Sequence, residues 1–179
     1  MKNHIFRRKM NYKIMLSSIV VLLMFTQNTI GQVKYKVYAG FINHFTKYIQ
    51  WPLHTKAGDF VIAVVGDSPL FNELQPLVGK TVGDQNIVLK NYKKPTDITN
   101  AHIIFLSEQN KSMANVVEKI AMNLNALLVT EFESACKKGA DINFVEVDGK
   151  IRFEISTNNL ELHGLKVSNE LKKLGILID

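Results

Sequence analysis

Gly79-Lys80-Thr81 has the ending of a phosphate-binding loop, in which the lysine and the hydroxyl would meet the phosphates of a nucleotide. That pattern needs a glycine five residues before Gly79, where Leu74 stands, and it must lead into a helix, whereas a strand is expected next. A glycine helix stop beside an exposed lysine accounts for the triplet. Gly66-Asp67-Ser68 follows an apolar run and would present a nucleophilic serine at a strand end. The base such a serine needs, a histidine three residues after an aspartate, is missing, since Leu160 occupies that spacing before His163. Helix capping by Asp67 or Ser68, with Pro69 in the first turn, explains these residues without catalysis. Beyond the leader the histidines are His44, His54, His102 and His163, none at a metal-ligand spacing, and His102 is expected to be a satisfied structural residue. Cys136 is the only cysteine, so the chain forms no internal disulfide and no thiolate zinc site. It is expected to pack as a small apolar residue on a short helix. Glu131 and Glu133 are expected to be solvated loop acids. No catalytic residue, metal or cofactor is expected.

The best candidate polar site is Arg152 with Glu154. Two residues apart on a strand, they share a face with Asn143 and Val145. If helices cover that face, the pair must be satisfied by each other, by Asn143 or by a ligand. A pair satisfying itself is the favoured reading. Ile176-Leu177-Ile178 is either a docked tail or an exposed patch for a partner, and docking is favoured.

The elements that must position these residues follow from hydrophobic periodicity. Val33 to Gln50 reads as a helix with Val37, Tyr38, Phe41, Ile42, Phe45, Tyr48 and Ile49 on one stripe, ended by Trp51-Pro52. Phe60 to Val65 is an unbroken apolar run, as in a strand covered on both faces. A short helix to about Leu77, a strand over Asn86 to Lys90 and a buried strand over His102 to Leu106 follow. Lys111 to Leu124 is a helix with Met113, Val116, Val117, Ile120, Ala121 and Leu124 on its apolar face, and Ala126 to Thr130 is a further buried strand. Ile142 to Val147 and Lys150 to Ile155 flank Asp148-Gly149, a two-residue hairpin signal that pairs Phe144 with Phe153 and Ile142 with Ile155. Leu165 to Leu174 is expected to be extended and then helical. Strands alternating with helices give an α/β class: a single three-layer domain, a mostly parallel sheet flanked by helices, and an antiparallel hairpin at the C-terminal edge.

Of the chain's 179 residues 46% are apolar and 21% charged, a globular composition. Most of the formal charge of +6 sits in the leader, because Lys2, Arg7, Arg8, Lys9 and Lys13 lie in the first 31 residues with no acid among them. The remainder is close to neutral and has no electrostatic case for nucleic acid. A basic start, the apolar run Ile14 to Phe25 and the small residues Thr29 and Gly31 mark residues 1–31 as a cleavable signal peptide, with export of 32–179. The run is shorter than the ~20 residues a spanning helix needs.

Several blocks resemble the YfiR-like family of bacterial periplasmic regulators. They are Gly40 to Pro52 with its closing Trp-Pro, Val64 to Pro69, Gly79 to Val82, His102 to Phe105 and Leu127 to Thr130. The hairpin Ile142 to Val145 with Ile151 to Ile155, and Leu165 to Ser168 with Leu171 and Leu174, complete the match. The resemblance implies a periplasmic, non-enzymatic protein that binds the periplasmic sensor domain of a membrane-bound diguanylate cyclase and represses it, so controlling cyclic di-GMP and biofilm formation. A sensor kinase is the other membrane partner it admits, and homodimerisation and a small-molecule effector are left open. Some relatives form disulfides, including one from the position here held by Ala101, so redox switching of that kind is closed to this chain. The motif-matching polar positions Arg152, Glu154, Lys166 and Ser168 are the expected contacts with partner or effector. The rival reading is a solute-binding protein with its site at the carboxyl ends of the strands.

Overall fold

The computed structural model describes residues 27–178. By internal packing the chain divides into two units, 1–33 and 34–179, and the architecture below is that of the second. The signal peptide expected at 1–31 lies almost wholly outside the described residues.

Helix α1 (Gln27–Tyr48) enters this unit at Lys34 and is followed at once by the short strand β1 (Ile49–Gln50). The sequence pattern carried the helix two residues too far. Ile49 and Gln50 instead pair antiparallel with Val167 and Lys166 of β9 (Lys166–Val167), forming a two-stranded sheet of their own. The remaining strands are β2 (Phe60–Val65), β3 (Thr81–Val82), β4 (Gln85–Tyr92), β5 (Ile103–Leu106) and β6 (Leu127–Thr130). Then come β7 (Ile142–Val147), β8 (Lys150–Ile155) and β10 (Ile176–Leu177). They form one sheet of eight in the order β10-β8-β7-β6-β5-β2-β4-β3. It is parallel except for the β7–β8 hairpin and the β3–β4 pair.

The hairpin has the expected register, Phe144 opposite Phe153 and Ile142 opposite Ile155. Asp148 and Gly149 both take positive φ, 51° and 69°, as a tight turn matched to strand twist requires. It is not the sheet edge, however. The C-terminal tail docks as β10, parallel to β8 and outside it, so β8 is an inner strand.

Alternation along the central strands divides the core. Ile62, Val64, Ile103, Phe105, Leu127 and Val129 point to the face that Tyr38, Ile42 and Phe45 of α1 cover. Phe144 and Phe153 extend that layer, with Tyr38 stacked on Phe144 at 3.9 Å. The short helices α2 (Leu70–Glu73), α4 (Thr157–Leu162) and α5 (Asn169–Leu174) add Leu70, Leu160 and Leu171 to the same side. Ala63, Val65, Ile104, Leu106 and Leu128 point the other way, against α3 (Ala114–Leu124). This is the expected three-layer α/β arrangement. Each large aliphatic or aromatic side chain so enclosed contributes roughly 1.5–3 kcal/mol relative to exposure.

Two apolar stripes sit differently from their periodicity. Val37 on α1 is 38% exposed and Val116 on α3 is 46% exposed. The face of α3 that closes on the sheet is instead Ala114, Val117 and Ala121, whose small side chains let the helix approach closely. The first part of the helix expected at Lys111 is a 3-10 turn, Glu108–Met113.

Candidate functional site

Asn143 and Glu154 face each other across the hairpin, and the polar chemistry there belongs to Asn143. Its Nδ2 donates to Glu154 Oε2 at 2.9 Å, while its Oδ1 accepts from Thr130 Oγ1 at 2.9 Å and from the Phe132 backbone N–H at 3.0 Å. Arg152 lies opposite Val145, exposed, and among the described residues it makes no ion pair with Glu154. The pair expected to satisfy itself is therefore divided: Glu154 is held from within by Asn143, and Arg152 is left to solvent.

Glu131 is likewise not a solvated loop acid. It is buried at the carboxyl end of β6, its Oε2 2.7 Å from Lys34 Nζ and its Oε1 accepting from Tyr35 Oη at 3.0 Å. Lys34 also lies over the rings of Tyr35 and Tyr38. Burial, reinforced by the Glu131 charge, pushes the Tyr35 phenol well above its ordinary range. Glu133 is exposed, as expected.

The carboxyl end of β2 is also filled. Gly66, at φ +75°, leaves room for Asn110, whose Nδ2 donates to Ser107 Oγ at 2.9 Å and to the Val65 carbonyl at 3.3 Å. Ser68 Oγ accepts from the Leu70 N–H at 3.3 Å, but Pro69 is the N-cap of α2 and no side chain caps it, so the cap expected from Asp67 or Ser68 is replaced by this local turn.

An open concavity lies at the other end of the sheet. A groove of about 740 Å³ runs past Gln50, Trp51, Pro52, Lys56, Asp84, Gln85 and Lys166. Its floor is locked from below. Trp51 Nε1 donates to the His102 carbonyl at 2.9 Å and its ring meets Phe60 edge-on, while Phe60 stacks on the His102 imidazole at 4.5 Å. His102 Nδ1 accepts from the Val61 N–H at 3.1 Å, and Nε2 faces the Thr55 carbonyl at 2.7 Å. That bonding requires a neutral ring with its proton on Nε2. Burial lowers the pKa of His102, only partly offset by the Thr55 carbonyl. His102 is the satisfied structural residue expected, and the Trp-Pro block is seen to fasten the end of α1 to the start of β5.

Lys166 is exposed on β9 in the wall of this groove. Ser168 caps α5, its Oγ accepting from the Leu171 N–H at 3.2 Å. Cys136 lies buried on a 3-10 turn, and burial, then the charges of Glu154 and Asp141, push its thiol up to about 12. Asp141 and His163 form a buried ion pair, 2.8 Å apart, that no motif announces. They are 22 residues apart in sequence, and only the β7–β8–α4 fold brings them together.

The fold and these clusters define a class: a three-layer α/β domain with internally tied polar groups and an open groove at the amino ends of its parallel strands. The YfiR/HmsC-like family model matches residues 35–175, nearly the whole second unit, and the chain belongs to that family. No curated protein matches it significantly.

Proposed function

We propose that this protein is exported through a signal peptide at 1–31 and acts in the periplasm as a repressor of a membrane signalling protein. The partner that best fits is the periplasmic sensor domain of a diguanylate cyclase, the kind of protein that members of this family regulate. The observation that carries the reading is the family match across residues 35–175. The mechanism is a shift of population: the bound cyclase stays in its inactive state until a signal weakens the contact. Arg152 and Lys166, both exposed and free to meet a partner's acids, are the contacts to test first. Glu154 and Ser168 contribute through the surfaces they stabilise, since Asn143 and the α5 backbone already hold them. Replacing the protein in its host by the Lys166→Glu variant is expected to raise cyclic di-GMP toward the level of a deletion strain, with an unchanged melting temperature. Full repression by a folded Lys166→Glu, Arg152→Glu double variant would remove both residues from the interface.

The groove beside Trp51 supports a second reading, a solute-binding protein, with its site at the amino rather than the carboxyl ends of the strands. That reading requires a metabolite that raises the melting temperature by mass action.

A further inference from the structure

We propose that Asp141 and His163 form a proton-operated clasp that fastens the end of α4, and with it the Gly164–Lys166 wall of the groove, to the start of β6 and β7. The geometry is that of a buried ion pair. Asp141, fully buried, stands just before β7, and its Oδ2 accepts both His163 Nδ1 at 2.8 Å and the Leu128 N–H at 2.6 Å. Oδ1 has no hydrogen-bond partner among the described residues, so the charge of an ionised Asp141 is held through Oδ2 alone. Burial, the largest influence, raises the Asp141 carboxyl, and the His163 ring and the Leu128 N–H are what favour its ionised form. His163, 2% exposed, closes α4, and the Ala126 carbonyl provides its ring with a second acceptor. A ring between two acceptors is satisfied as the imidazolium, with both nitrogens donating.

Among the other charged or titratable groups around the pair, Glu118 favours the charge on His163 and opposes that on Asp141. Glu118 reaches toward both residues from α3, the Cys136 thiol feels Asp141 from its 3-10 turn, and Glu161 on α4 itself is exposed. No second cation competes for Asp141 among these neighbours. Burial opposes the charge on His163, but Asp141, Glu118 and the Ala126 carbonyl together outweigh it and raise the pKa of the ring.

The chain on either side of His163 is what the clasp holds. The His163 carbonyl accepts from Asn125 Nδ2 at 2.9 Å, the Leu165 N–H bonds back to Leu160, and Gly164 and Lys166 line the groove. Loss of the ring proton leaves a buried carboxylate without its counterion, a cost relieved by releasing this segment. A folded-state pKa above the unfolded value gives stability that is complete below about pH 6.5 and is lost as pH rises through the folded value.

The test is an NMR titration of the His163 ring combined with hydrogen exchange from pH 5.5 to 9.5, corrected for intrinsic rates. The expected ring midpoint lies above 6.5. Past it, protection of amides in 157–168 should fall by up to about tenfold for each unit of the elevation, with β2 and β5 unchanged. Asp141→Asn should lower the ring midpoint, and His163→Gln should remove the pH step. A ring midpoint at or below 6.5 in the unsubstituted protein overturns the clasp even if neither variant folds. So does a step that persists in His163→Gln, or one that spreads equally over the central strands.

Discussion

Asn143 and Arg152 stand two rungs apart on the hairpin ladder, and the structure gives them opposite weight. Removing the Asn143 carboxamide would strand the buried Phe132 N–H, leave the Thr130 hydroxyl only the Ile142 carbonyl at 3.3 Å, and strip Glu154 of its donor. Asn143→Ala should therefore cost about 1–3 kcal/mol in urea unfolding. Arg152→Ala, at an exposed position with no ion pair to lose, should stay within roughly 0.5 kcal/mol. His102 makes a second residue-scale prediction. Its neutral ring accepts from Val61, and a second proton would break that bond. Its folded pKa is lowered, so its contribution to stability is complete above about pH 6.5 and is lost as pH falls below it. An NMR midpoint for His102 below that of a free histidine would show this, and in the His163→Gln variant, where the opposite pH dependence of the clasp is absent, unfolding at pH 5 should be easier than at pH 7. The structural nature of His102 and Cys136 was legible in the sequence, because His102 opens an apolar run and the lone Cys136 has no second cysteine or metal-ligand spacing to give it chemistry. The burial of Glu131 was not, because its partners Lys34 and Tyr35 come from α1, some 96 residues earlier.

At the scale of elements, the strands with the strongest local signal were the most readable. Phe60–Val65 and the two arms of the Asp148-Gly149 hairpin have the boundaries their patterns predict. The two-residue strands β1, β3 and β10 were not recognised as strands, and β9 only as the extended start of Leu165 to Leu174, since two residues carry no period and their pairing is decided by distant chain. The tail shows how such docking is enforced. A Cβ on Gly175 would lie 2.7 Å from the Phe153 ring and 2.9 Å from Ile155, so glycine here allows β10 to lie against β8. Gly175→Ala should destabilise the domain by about 1–3 kcal/mol and raise exchange at Ile178, whose N–H bonds to Ile155. Ser168→Ala should cost about 1 kcal/mol through loss of the α5 cap. Measuring both folding and repression in that variant separates a cap from a partner contact.

For the molecule as a whole, the α/β class was legible because helices and buried strands alternate along the chain, and the YfiR-like blocks added order and spacing that single motifs lack. The location of the groove was not, since it forms where the start of β4, the Trp-Pro corner and β9 converge, and no one of them signals a cavity. The fold leaves Arg152 and Lys166 exposed, which suits recognition by surface contact. The central claim is that a membrane signalling protein is the physical partner. In-cell crosslinking of the tagged, exported protein in its own host, followed by mass spectrometry, tests this directly. The account predicts recovery of one membrane diguanylate cyclase, reduced in the Lys166→Glu variant at equal abundance. Recovery of the protein alone, under conditions where a known periplasmic pair is captured, would contradict it.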